Sequence, residues 1–330
     1  MSNIYIIAEA AQGYEGSVEL SKLLIRSAKK AGANAIKFQV VYADDLAEEG
    51  YEYYDLFKQL EMSIEAWSEI RAYAKAQQIE FIIDIFGNQS FELAEKIKPE
   101  GIKIHSTCFF DEKLIIAILA LDTYVYLSVG GIYLEEIEQL ISKLELSNRE
   151  NFAILYGFQA EPTPLDSNNL FRINALRERL GIQNIGFMDH SDGSGQHTVT
   201  LSAVALGLGV NLFEKHITLD RQLEMEDYTS ALGVSDFARY VQSMHELHMA
   251  LGTESLNLTE KEVAYRNRAI KRVVAAKHLA AGTILNDTNI RLNRPKNMQG
   301  VFKMSELVGK PLKAEVLQGH GITLEAVIHE

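Results

Sequence analysis

The sequence predicts an α/β protein: a (β/α)8 TIM barrel followed by a small, mostly β domain. Three observations predict it. Short apolar runs alternate with longer helical patterns eight times over about 250 residues, the usual size of one closed barrel. Charge changes sign near Lys271: residues 271–330 carry 9 Lys+Arg against 5 Asp+Glu, whereas the preceding residues carry 23 against 40. Beyond Lys271 the chain is also cut into short pieces by Gly282, Pro295, Gly300, Gly309, Pro311, Gly319 and Gly321. Together these divide the chain into a barrel at 1–255, a linker at 256–270 and the small domain at 271–330.

The alternation runs in order. Ile4–Ala8 is a short apolar strand, and Ser17–Ala31 follows with Leu20, Leu23, Leu24 and Ala28 at helical spacing until Gly32 stops it. Ala35–Val41 is the second strand, Glu65–Ala76 a helix and Phe81–Phe86 the third strand. The theme repeats with Glu92–Lys98 and Ile102–Ile104, Asp111–Leu121 and Tyr124–Val129, Leu134–Leu144 and Phe152–Tyr156, and Leu170–Leu180 and Ile185–Met188. A helix around Val199–Leu208, the last strand Leu212–His216 and the helix Phe237–Leu251 complete it. Eight units of this length favour a closed barrel over a doubly wound open sheet.

Composition narrows the function. A formal net charge of -13 argues against a whole-surface nucleic-acid binder, though a local pocket can still be positive. The single cysteine, Cys108, excludes an intramolecular disulfide and a cysteine-rich zinc site. No basic-then-apolar leader is seen at Met1, and runs such as Leu114–Leu121 are far short of the roughly 20 residues of a membrane span. A soluble cytoplasmic protein is expected.

Barrel chemistry sits at the carboxyl ends of the strands. Those ends carry Glu9, Lys37 with Gln39, Asp84, Lys103 with Ser106, Ser128, Gln159 with Glu161, Asp189 with His190, and Glu214 with His216. Lys and Glu are almost never buried unpaired, so these residues read together as one polar pocket, although any single one could be a solvated loop residue. His190 and His216 end adjacent strands. Two imidazoles there could share a divalent ion, or each could be a hydrogen-bonding core residue. Lys37 and Lys103 suit a phosphate or carboxylate ligand. No Walker motif or dinucleotide fingerprint is present, so a nucleotide is not the natural ligand.

Five segments carry a family resemblance: IIAEA at Ile6–Ala10, GANAIKFQ at Gly32–Gln39, IKIHS at Ile102–Ser106, DHSDG at Asp189–Gly193 and EKHITLD at Glu214–Asp220. With VAAKHLAAGTIL at Val274–Leu285 and the pair Arg294–Pro295, the chain resembles the sialic acid synthase family over nearly its whole length. Its length and the Leu219–Ser230 stretch are nearest in pattern to pseudaminic acid synthases. The resemblance implies condensation of phosphoenolpyruvate with an N-acetylated amino sugar aldehyde, giving a nonulosonic acid and phosphate. It implies a divalent ion, manganese or magnesium, on His190 and His216, with Glu9 beside it. It implies donor contacts from Lys37, Lys103, Ser106 and Ser128, with Gln159 at a phosphate-contacting position, and acceptor contacts from Asp227. It also implies an antifreeze-like (SAF) C-terminal domain, exchanged between the subunits of a homodimer so that Arg294 reaches the partner's acceptor site.

Several positions depart from the family pattern. Its Asn-His pair is lost at Gly13-Tyr14-Glu15-Gly16, and its Ser/Thr-Pro-Phe becomes Asp84-Ile85-Phe86. Gln159 replaces an Asn, Glu161 a Tyr and Met188 a Ser, and the tail motif becomes Arg294-Pro295-Lys296-Asn297-Met298. Two other readings therefore stand beside the first: another metal-dependent aldolase or lyase of an acidic sugar, and a degenerate sugar-binding paralogue.

Overall fold

The computed structural model describes residues 4–329; the start of the chain at Met1, where no leader is expected, lies outside them. Eight parallel strands run in sequence order: β1 (Tyr5–Ala11), β2 (Ala35–Gln39), β3 (Glu80–Ile85), β4 (Gly101–Ile104), β5 (Tyr124–Ser128), β6 (Phe152–Tyr156), β7 (Ile185–Asp189) and β8 (Leu212–Thr218). β1 also pairs with β8, with Ile7 opposite Glu214 and Glu9 opposite His216, and this closes the barrel. A two-residue strand, β9 (Leu232–Gly233), pairs with the end of β8.

Helices cover the outside: α1 (Val18–Ala31), α2 (Ala43–Leu46), α3 (Tyr54–Leu60), α4 (Ile64–Ala76), α5 (Asn88–Ile97), α6 (Glu112–Leu119), α7 (Leu134–Lys143), α8 (Arg172–Leu180), α9 (Thr198–Gly207) and α10 (Val234–Leu251). The sequence fixes their ends locally. Ser17 caps α1 by accepting from Leu20 N at 3.3 Å, Lys29 and Lys30 lie in its last turn, and Gly32 ends it at φ 91°. Its buried stripe of Leu24, Ile25 and Ala28 faces the strands in the main apolar core, with Trp67 and Ile70 of α4.

Strand alternation builds a second, smaller core inside the barrel from Ile7, Ala35, Ile82, Tyr126, Ala153, Leu155, Met188 and Leu212. Gly101 makes room there, since a Cβ would come within 2.9 Å of the Tyr126 ring. This apolar plug leaves only the carboxyl-terminal end of the barrel for polar chemistry.

The observed elements differ from the expected ones at instructive places. β1 runs on to Ala11 because a bulge follows Glu9, whose Oε1 accepts from Ala11 N at 2.6 Å while Ala11 takes φ 47°. Helices α2 and α3 fill the connection after β2, where no apolar stripe announces them.

The chain divides into two compact units between Thr253 and Glu254. The second begins with α11 (Glu260–Ala269), inside the stretch expected as a linker, started by a capping box between Thr259 and Glu262. The antiparallel pair β10 (Arg272–Ala275) and β11 (Ile290–Asn293) follows, with isolated bridges such as Val274 to Gly321. Val273, Leu279, Leu285, Ile290, Leu307, Leu312, Ile322 and Val327 give this unit its own small core. Among the described residues no helix is long and apolar enough to cross a membrane.

Candidate active site

Above the apolar plug, the barrel mouth holds a lattice of buried charges. Lys37 of β2 contacts the Glu9 carboxylate of β1 and lies 2.7 Å from Asp84 Oδ2 of β3 and 3.5 Å from Glu214 Oε1 of β8. Lys103 of β4 reaches across the barrel to Glu214 Oε1 at 2.8 Å and lies 3.6 Å from Asp84 Oδ2. All five side chains are essentially excluded from water. Two ammonium groups thus face three carboxyl groups.

Environment divides the carboxyl groups. Burial pushes Glu9 up to about 8; Glu214 and Asp84 add to the rise, and Lys37 only partly offsets it. Burial also opposes ionisation of Glu214, but Lys103 and Lys37 overcome it and hold that carboxyl at about 2. Burial likewise works against the Lys37 charge; Asp84, Glu214 and Glu9 outweigh it and hold Lys37 well above the usual lysine value. Glu9 is therefore a proton carrier near neutral pH, while Glu214 is a fixed anion.

His190, which follows β7, and His216 of β8 meet with ring centroids 4.7 Å apart at 67°. Burial lowers His190 to about 4 and His216 well below the ordinary value, so both rings are neutral at pH 7. His190 Nδ1 and His216 Nε2 are buried and have no hydrogen-bond partner among the described residues. The loops hold His190 by its backbone: its carbonyl accepts from Thr163 N at 2.8 Å and from Ser230 Oγ at 2.9 Å. Asp227 Oδ2 lies 3.9 Å from His216 Nδ1, and burial with Glu161 and Glu226 raises the Asp227 carboxyl to about 7.

Neutral imidazoles with free nitrogens fit a divalent ion. No group of three or more His, Cys, Asp or Glu side chains among the described residues is arranged as a metal cage. The donor set therefore suits a weak, exchangeable site with open positions, for which His190 and His216 would supply the protein ligands.

The other expected residues have partners of their own. Ser106 Oγ donates to Gln159 Oε1 at 3.2 Å, and Ser128 Oγ sits 3.9 Å from Met188 Sδ. Glu161 Oε1 accepts from Thr229 Oγ1 at 3.0 Å. Arg294 belongs to the C-terminal unit, where it follows β11 and donates from Nε to Ala269 O at 3.4 Å. Asp84 and Glu214 were legible as polar strand ends but carried no assigned role. The structure makes them the partners of both lysines.

The model of the NeuB family matches residues 24–255 of the chain. An uncharacterized protein of Methanocaldococcus jannaschii is 30% identical over 293 residues, 88% of this chain and 85% of that protein. A pseudaminic acid synthase of Campylobacter jejuni is 28% identical over 334 residues, 97% of this chain and 95% of that enzyme. Among solved structures, an N-acetylneuraminic acid synthetase from Leptospira borgpetersenii matches with TM-score 0.73 and 26% identity, over 81% of this chain and 93% of that one. With the closed barrel and its charged mouth, these likenesses define the class, a carbon–carbon bond-forming synthase. The chain belongs to the NeuB family.

Proposed function

We propose that the chain condenses phosphoenolpyruvate with the open-chain aldehyde of an N-acetylated amino sugar, giving a nonulosonic acid and phosphate. The observation that carries this is one barrel mouth holding two buried lysines, a proton-bearing carboxyl and two neutral imidazoles. The likeness to a pseudaminic acid synthase favours a 2,4-diacetamido-trideoxy hexose as acceptor.

The donor's C3 forms the new bond to the aldehyde carbon, and the aldehyde oxygen takes up a proton. Water adds at the donor's C2, the bond between C2 and the bridging oxygen breaks so that phosphate leaves with the electron pair, and the added oxygen loses both its protons to become the keto oxygen. Lys37 and Lys103 offset the donor's carboxylate and phosphoryl charges, with Ser106, Ser128 and Gln159 as hydrogen-bond partners around them. Glu9 holds the proton that the acceptor oxygen needs. Asp227 and Glu161 accept from acceptor hydroxyls. Met188 has no donor to offer, so the donor's contacts fall on the other side chains. A divalent ion, manganese or magnesium, held by His190 and His216 would polarise the aldehyde oxygen as a Lewis acid. Fixing both reactants in one cavity supplies the orientation that free solution lacks.

We read the C-terminal unit as a SAF domain that crosses to the partner barrel in a homodimer and lends Arg294 to the acceptor. The single buried Cys108 suits a cytoplasmic enzyme. Phosphate release is the test of the reaction. It should require phosphoenolpyruvate, a divalent ion and an acetamido hexose together, and no release across a broad panel of such sugars would overturn the reading. Mixing Arg294→Ala with His190→Ala subunits tests the crossing: recovered activity supports exchange, and none despite proven subunit exchange refutes it.

A further inference from the structure

Asp84 of β3 faces both lysines of the barrel mouth. It is fully buried, its Oδ2 lies 2.7 Å from Lys37 Nζ and 3.6 Å from Lys103 Nζ, and its Oδ1 has no hydrogen-bond partner among the described residues. It is also fixed by the sheet: its backbone lies in β3, opposite Gln39 of β2 and Lys103 of β4, so it cannot swing away. Resting on the donor reading above, we propose that Asp84 is a resident counter-anion that competes with the incoming donor for Lys37 and Lys103, and so sets how weakly the donor binds.

The charge count supports competition. The two lysines already meet Glu9, Asp84 and Glu214, and Glu214 is shared by both ammonium groups. A donor bearing a carboxylate and a phosphate brings further negative charge into a place where positive charge is spent. Low local dielectric makes like charges within a few ångströms costly. Removing the Asp84 charge leaves both lysines sharing the Glu214 carboxylate, 3.5 Å from Lys37 and 2.8 Å from Lys103, with Glu9 still in contact with Lys37, so the fold keeps its support. A merely structural Asp84, needed to orient Lys37, makes the opposite prediction: its loss would weaken anion binding.

The experiment measures equilibrium binding of phosphoenolpyruvate, and separately of inorganic phosphate, to the full chain and to Asp84→Asn and Asp84→Ser, with thermal melts to certify folding. Removing one like charge is worth about a tenfold change in affinity or more at such distances. Both variants should bind phosphoenolpyruvate at least about tenfold more tightly than the unaltered protein, and phosphate more tightly as well. Unchanged or weaker binding by a folded variant overturns the proposal. If the unaltered protein releases phosphate from the donor but neither variant binds it more tightly, the counter-anion role falls and the donor reading stands. If phosphoenolpyruvate binds none of the three proteins, both fall.

Discussion

Strand β8 carries two buried charge systems on opposite faces, within three consecutive residues. Glu214 and His216 point into the barrel mouth, and Lys215 points outward beneath the helices. Both systems pair a buried lysine with a carboxylate. They differ in how completely the polar atoms are satisfied. Outside, Lys215 Nζ lies 3.3 Å from Asp189 Oδ2, 3.3 Å from Ser191 Oγ, 3.2 Å from Ser191 O and 3.4 Å from Asp189 O. Asp189 Oδ1 in turn accepts from Ser191 N at 2.9 Å. Asp189 Oδ2 has no hydrogen-bond partner among the described residues, but the Lys215 ammonium meets it at 3.3 Å and also grips the backbone either side of His190, so the set works as a brace. Inside, Asp84 Oδ1, Glu214 Oε2, His190 Nδ1 and His216 Nε2 are buried without hydrogen-bond partners among the described residues. Leaving such atoms unmet costs free energy, and a fold retains that cost where a ligand will meet them. Buried charge alone does not mark a site; buried charge with open valences does.

The comparison breaks most sharply at the imidazoles. His190→Ala should cut turnover by about a thousandfold or more, since Lewis-acid stabilisation is worth several kcal/mol, while the melting temperature changes little. Chelation of the unaltered protein should produce the same loss, and added manganese should reverse it. Unchanged metal titration and activity in the variant would remove His190 from the site.

The brace should behave oppositely. Lys215→Met leaves Asp189 buried and uncompensated, which should cost about 3–5 kcal/mol in urea unfolding. Coupling it with Asp189→Leu should recover much of that loss, because replacing both members of a buried pair is often near neutral. Donor affinity of the folded variant should stay within about twofold, the additivity expected of a group that does not touch the donor. A Lys215→Met protein of full stability that no longer binds the donor would exchange the roles of the two faces.

A third effect concerns protons. Because Glu9 is pushed up to about 8, the folded chain holds a proton that the unfolded chain releases above the ordinary carboxylate range. Stability should therefore fall as pH rises from about 5 to about 8, then level off. Melting temperatures across that window should decline less steeply in Glu9→Gln, and an identical slope in the two proteins would show that Glu9 is already ionised.

The strands were legible because apolar runs such as Phe152–Tyr156 have no other use, and Ser17 and Gly32 announce the ends of α1. The candidate residues stood out for the same reason in reverse, since Glu9, Lys37 and Lys103 interrupt runs that are otherwise apolar. Helix α2 was not legible, because it is held from outside: the Glu61 carboxylate accepts from Ala43 N at 2.8 Å. Nor could Asp84 be given a role, which depends on distances across the barrel to two other strands. Lys215 also escaped notice, since alternation places it outward but nothing in the sequence says that Asp189 and Ser191 await it there.

The central claim is that the open valences of the barrel mouth are the donor and metal site. Crystals soaked with manganese and phosphoenolpyruvate test it most directly. The account predicts an anomalous peak between His190 Nδ1 and His216 Nε2, with the donor's anionic groups on Lys37 and Lys103. Manganese bound away from both imidazoles, or a donor that leaves both lysines untouched, would contradict it.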